Sequence, residues 1–198
     1  MLTEKEKQTL RKNLIRYEGD VRHMYLDTEG YVTIGVGHLV PNLAAALKLN
    51  LVVGKTGAIA TEAQITIDYE SVKKQPKGGI AYTYKKYTQL IMTGVEVNRL
   101  TNKHIKTFCK ELKKLFPDFD DYPTEARLGL LDMIFNLGMT RLKGRFPKFC
   151  KAVKEKNWAA AAVESNRPDI QPPRNKYVRE LFEVVAENVS TENRNANP

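Results

Sequence analysis

Apolar residues recur along this chain in three rhythms, and each rhythm predicts a different kind of element. The first is helical. Thr3-Glu4-Lys5-Glu6 has the form of a capping box, in which Thr and Glu side chains each accept from the other's backbone amide, so a helix is expected to begin there. Leu10, Leu14 and Tyr17 then fall on one face at helical spacing. Glu18-Gly19 closes the run and places Glu18 in the last turn.

The second rhythm is strict alternation. Asp27-Thr28-Glu29-Gly30 has Asp first and Gly fourth, as a type I turn prefers. Val32, Ile34 and Val36 then alternate with Tyr31, Thr33 and Gly35, which predicts a strand with one apolar face. Its hairpin partner is expected near Arg22–Leu26, with Thr33 on the face opposite the apolar one. Gly35 and Gly37 would let another group approach the backbone closely.

Helical spacing returns after residue 60. Thr61-Glu62-Ala63-Gln64 forms a second capping box, followed by Ile65, Tyr69 and Val72 on one face, and Gln75–Gly79 breaks it. The segment 80–99 reads as mixed helix and loop. Thr101 is expected as an N-cap, with Leu100 and Ile105 as a hydrophobic staple and Ile105, Phe108, Leu112 and Leu115 continuing to Pro117. Residues 124–137 show the third rhythm, apolar almost all round and followed by Gly138, as suits the centre of a bundle. Shorter helices are expected at 146–156, 158–164 and 174–186, with a polar, frayed tail over 190–198. The sum is an α+β chain: one domain with a hairpin lobe over about 16–60, a helical lobe over about 61–190 and a cleft between them.

Composition narrows the class. A chain of 198 residues suits one domain, and no stretch approaches a membrane span. The start, Met1–Lys7, is charged and lacks an apolar signal core, so the expectation is a protein made in the cytoplasm without a signal peptide. The net charge of +9 favours polyanions in general. The basic residues come as scattered pairs (Lys73-Lys74, Lys85-Lys86, Lys113-Lys114) and read as solvated surface. Cys109 and Cys150 read as buried free thiols. His23, His38 and His104 form no HExxH, and there is no CxxC, so neither metal nor cofactor is expected. His38 reads as structural, and Trp158 and Phe135 as core.

Chemistry concentrates in Tyr17–His38. A carboxylate at a helix end and another at a hairpin turn, with a hydroxyl on the next strand, are the groups glycoside cleavage uses. One acid protonates the leaving oxygen, and the other carboxylate handles water or the cation-like transition state. A helix C-terminus disfavours nearby negative charge, an address that suits an acid meant to keep its proton.

Glu18, eight residues, Asp27, five residues and Thr33 together resemble the catalytic motif of phage-type lysozymes, glycoside hydrolase family 24. Asp27–Tyr31 and Thr33–His38 are similar to that family's signature. The resemblance resumes at Asp132–Gly138, Trp158–Ala161 and Pro172–Lys176, while residues 41–99 are longer and poorly matched. It implies a muramidase that cuts the β-1,4 bond between N-acetylmuramic acid and N-acetylglucosamine. Glu18 would be its general acid, Asp27 its second carboxylate, Thr33 a holder of the attacking water and Arg174 a partner for the glutamate. Tyr25 and Tyr31 are candidates to line the cleft. The expected partner is bacterial peptidoglycan, met in the periplasm or wall by a monomer after holin release or secretion-system delivery. An effector would bring an immunity protein. Neither nucleic acid nor membrane insertion is expected. The competing readings are a zinc or Cys–His amidase, for which no recognisable spacing exists, a wall-binding module without activity, and a nucleic-acid binder without a motif.

Overall fold

The computed structural model describes residues 2–196. The chain forms two compact units: Arg11–Asn102 is one, and the other takes in the chain as far as Leu10 and from Lys103 onward. These boundaries differ from the expected 16–60 and 61–190. The reason is local: the elements between 61 and 92 pack on the hairpin.

The first unit opens with α1 (Glu4–Glu18), which crosses the boundary at Leu10. A three-stranded antiparallel sheet follows, in the order β1 (Val21–Leu26), β2 (Val32–Gly35), β3 (His38–Leu39). Tyr25 lies opposite Thr33 and Leu26 opposite Val32, and β1 bulges between Val21 and Tyr25. Both faces of β2 are covered, and all four of its residues are buried. Next come α2 (Leu43–Ala46), β4 (Leu51–Val53), α3 (Glu62–Lys73), a 3-10 helix (Ala81–Tyr87) and β5 (Leu90–Met92). α3 starts at the predicted capping box, buries Ile65, Tyr69 and Val72, and packs on β1, β2 and β5. Its buried Asp68 accepts the amides of Gln89 (2.9 Å) and Leu90 (2.8 Å), which fixes the start of β5.

The segment 80–99 therefore holds a strand that periodicity missed: β5 pairs antiparallel with β4, Val52 opposite Ile91. Thr101 is not an N-cap. α4 (Gly94–Leu115) begins earlier, with the Thr93 hydroxyl accepting from the Glu96 amide at 3.3 Å. Thr101 lies buried inside this helix and donates back to the Val97 carbonyl (2.8 Å), the usual outlet for a hydroxyl within a helix.

The second unit is helical: α5 (Thr124–Arg145), α6 (Pro147–Lys154), α7 (Trp158–Glu164) and α8 (Pro172–Ala196). α5 buries Leu128, Leu130, Leu131, Met133 and Ile134 at its centre, and α8 packs on α5 and α7. Gly138 interrupts α5 at the point where the all-apolar stretch was expected to end. It takes φ 68° and ψ 164°, and the helix resumes beyond this kink. α8 likewise outruns the expected 174–186 and continues through the segment expected to fray. Ser190 and Thr191 donate to carbonyls four residues back, which suits a solvated helical end. The last two residues of that expected tail lie outside the described residues. Trp158 is buried, edge-on to Tyr122 at 5.1 Å and near-parallel to Phe182 at 6.3 Å. Phe135 is half-buried and meets Phe108 edge-on at 5.6 Å. Both cysteines are free, Cys150 buried and Cys109 half-buried. No helix among the described residues is long and apolar enough to cross a membrane.

The first capping box does more than start α1. Glu6 Oε2 accepts the Thr3 amide at 2.7 Å, while Oε1 takes the Thr124 hydroxyl at 3.1 Å and Arg127 Nη2 at 2.5 Å. Burial works to raise the Glu6 carboxyl, but the Thr3 hydrogen bonds and the Arg127 charge outweigh it and hold it below its ordinary value. The contribution is therefore full at neutral pH and is lost as acid protonates the group. Glu6→Ala removes the cap and strands a largely buried guanidinium, so about 3 kcal/mol of stability should be lost. Urea unfolding measures it, and a loss below about 1 kcal/mol would show that the pair contributes little more than a surface one.

Candidate active site

α1 stops at Glu18 because Gly19 turns the chain away with φ 81°. The Glu18 side chain is half-buried. Beside it runs the turn between β2 and β3, where Gly37 takes φ 65°. A Cβ on Gly37 would stand 3.8 Å from Glu18 Oε2, so bare backbone borders this carboxylate.

Asp27 is held by its own turn. Its Oδ1 accepts the amides of Glu29 (3.0 Å) and Tyr31 (2.8 Å), while its backbone amide donates to the Tyr31 carbonyl (3.0 Å). Gly30 closes the turn by donating to the Asp27 carbonyl at 3.0 Å. These bonds fix the carboxylate plane and leave Oδ2 outside the turn's hydrogen bonding. Tyr31 therefore acts through its backbone, while its ring stands 57% exposed.

Tyr25 and Thr33 are directly opposed across β1 and β2, so their side chains share one face of the sheet. Asp27 follows directly on β1 and opens the turn that leads to β2. Thr33 is buried, and its hydroxyl donates to the Tyr31 carbonyl at 3.2 Å. That uses its one hydrogen and leaves its oxygen free to accept. Burial pushes the Tyr25 phenol up to about 12, and the charges of Glu18 and then Asp27 push the same way. Both carboxylates thus lie within electrostatic reach of one half-buried phenol. The structure brings Glu18, Tyr25, Asp27 and Thr33 together in one unit.

Arg174 belongs to the other unit, in the first turn of α8. It is buried, and its Nε donates to both oxygens of Asp132 (3.0 and 3.2 Å). Arg167 Nη1 reaches Asp132 Oδ1 at 2.9 Å, and Asn175 accepts from the Arg167 amide and Nε. The sequence analysis missed this cluster. Its signal was present: a lone aspartate inside a helix apolar all round requires a cation. His38 sits in β3 opposite Ile34. Among the described residues no group of three or more His, Cys, Asp or Glu side chains is placed to hold a metal ion.

No family model matches the chain. It is 28% identical over 178 residues to a Dictyostelium discoideum protein named "Probable T4-type lysozyme 2", covering 87% of this chain and 93% of the relative. It is 27% identical over 161 residues to "Probable T4-type lysozyme 1" of the same organism, covering 77% and 79%. The likeness runs over most of each chain, agrees with the α+β lysozyme-like fold, and supports a phage-type lysozyme. It indicates that the chain is a lysozyme enzyme.

The placement of Tyr25 can be checked directly. With Cζ-labelled tyrosine and Tyr25→Phe for assignment, the Tyr25 signal should still be that of the protonated phenol at about pH 10.5, where an unperturbed tyrosine is mostly ionised. Glu18→Gln should bring its titration down, because one of the opposing charges is gone. An ordinary titration in the parent would place Tyr25 away from both carboxylates.

Proposed function

We propose that this chain is a peptidoglycan-cleaving muramidase of glycoside hydrolase family 24, hydrolysing the β-1,4 bond between N-acetylmuramic acid and N-acetylglucosamine. The observation that supports this reading is that the charges of Glu18 and Asp27 both reach the Tyr25 phenol, which lies opposite a threonine whose oxygen has acceptor capacity to spare. Glu18 protonates the leaving glycosidic oxygen. A water opposite it donates one hydrogen to Asp27 and one to Thr33 Oγ1, which turns its lone pair toward the anomeric carbon. Both side chains are suited to this because each offers a lone pair. Asp27 is locked by its turn, so the water meets a positioned base. Tyr25 stays neutral throughout the working range and so adds no negative charge beside Glu18 and Asp27. Pairing of Arg174 with Glu18 during the cycle, and a sugar contact for Tyr31, belong to this proposal.

We infer further that the enzyme acts on the wall outside the cytoplasmic membrane as a monomer. It is deployed either as an endolysin after holin release or as an antibacterial effector with an immunity partner. The extended 41–99 segment favours the effector, since a compact lytic enzyme has no need of it.

Glu18→Gln keeps the shape and removes the proton. Turnover of purified peptidoglycan should fall by about 10²–10⁴-fold while the unfolding midpoint holds. A folded variant retaining a third of parental turnover would refute the assignment. The water-holding roles of Asp27 and Thr33 predict inversion: proton NMR should show the α-anomer of the first product from a β-linked chain. An initial β-anomer, or a glycosyl adduct on Asp27, would make Asp27 a nucleophile instead.

A further inference from the structure

Between Ser71 and Val95 the chain carries five lysines and three tyrosines, with no aspartate, glutamate or arginine. This stretch supplies more than half of the net charge of +9. Among the described residues none of Lys73, Lys74, Lys77, Lys85 and Lys86 has a carboxylate partner, and neither has Lys55. In the helical unit some lysines are paired, Lys113, Lys151 and Lys176 with Asp120, Glu155 and Glu180, while others such as Lys143, Lys148 and Lys154 also lack a carboxylate partner among the described residues. What marks the 71–95 face is that its unpaired lysines stand beside tyrosine rings and border hollows whose walls hold no acidic residue.

The face is firmly built. Tyr84 is buried and its hydroxyl donates to the Pro76 carbonyl at 2.7 Å. His23 of β1 holds the 3-10 helix through the Ala81 carbonyl at 2.9 Å. Burial and then the Lys85 charge lower the His23 imidazole, and its bond to Ala81 opposes them only in part, so this anchor stays neutral beneath the lysines. Lys85 lies over the exposed Tyr82 ring at 5.9 Å and Lys86 over Tyr87 at 5.0 Å. Two hollows flank the 3-10 helix. One, of about 340 Å³, is bordered by Lys77, Lys86 and Tyr87; the other, of about 540 Å³, by Lys55, Lys85 and His23. Neither has an acidic residue in its wall, whereas the hollows beside α7 and α8 carry Glu180 and Glu183 or Glu164 and Asp169.

We propose that this face binds a phosphodiester-linked polyanion of the bacterial wall, holding the enzyme on the wall while the hairpin site cuts glycan. The inference rests on the wall-cleaving reading above. Lysines without an arginine fork act as point charges, which suits a repeating, flexible anion better than one planar group. Tyrosine rings beside the lysines offer flat apolar faces to the sugar or polyol units between phosphates.

The test uses full-length Glu18→Gln protein, sedimented with Gram-positive walls before and after hydrofluoric acid has stripped their phosphodiester-linked polymers. Stripping should weaken binding about tenfold and flatten its salt dependence, since fewer counterions are then released. Lys77→Gln/Lys85→Gln/Lys86→Gln in that background should lose the same tenfold on intact walls, and Lys→Arg at the three positions should retain binding. In the active parent background, the Gln variant should turn over short soluble glycan fragments normally. The proposal is overturned if stripping leaves binding unchanged, if the Gln variant binds intact walls as the parent does, or if single-stranded DNA displaces the protein as well as the wall polymer does. Sedimentation needs no catalysis. Failure of the parent to cut glycan would therefore refute the functional reading and leave the binding result standing.

Discussion

The antiparallel register of β1 and β2 is the constraint on which the candidate site depends. Tyr25 opposite Thr33 puts phenol and hydroxyl on one side of the sheet, and the turn beginning at Asp27 holds a carboxylate whose charge reaches that phenol. A slip of one residue would put Tyr25 and Thr33 on opposite faces. The turn itself prevents the slip, because Asp27 Oδ1 holds two amides and Tyr31 closes both ends of the backbone loop. One aspartate thus sets the strand register and remains available for chemistry through its second oxygen. Glu18 joins it from the end of a helix, against a glycine backbone that has no side chain to cover it.

A second constraint operates in the helical unit. Asp132 is fully buried, and two buried guanidiniums converge on it. Removing one partner of such a cluster is costly, since the remaining charges stay desolvated. Asn175 accepts from Arg167 and donates back to the Arg167 carbonyl, so the loop before α8 and the first turn of α8 close around one carboxylate. Arg174 therefore holds structure whatever it does for Glu18. A truncation there tests the fold as much as the site.

Local signals were legible in the sequence, and non-local ones were not. Both capping boxes, the Asp27 turn and the all-apolar centre of α5 follow from residues within a few positions of each other. The chain also held Thr93-x-x-Glu96, the true start of α4, but Leu100, Thr101 and Ile105 imitate a start equally well. The β4–β5 pair joins three-residue strands some forty residues apart, too short for alternation to register, and Asp68 specifies β5 through backbone amides that no side-chain pattern reveals. Glu18, Asp27 and Thr33 could be picked out as candidates because they lie close together in sequence, around one hairpin. The burial of Tyr25 within reach of both carboxylate charges depends on packing and was not legible. The lysines of 71–95 looked like scattered pairs in the sequence, and only their packing beside tyrosine rings and acid-free hollows in the fold sets them apart.

The most direct measurement of the central claim is mass spectrometry of purified peptidoglycan digested by the full-length protein. Muramidase chemistry at Glu18 and Asp27 predicts fragments whose new reducing end is N-acetylmuramic acid, with stem peptides intact and no new free amino groups. Free stem peptides from an uncut glycan, or new reducing ends at N-acetylglucosamine, would contradict it.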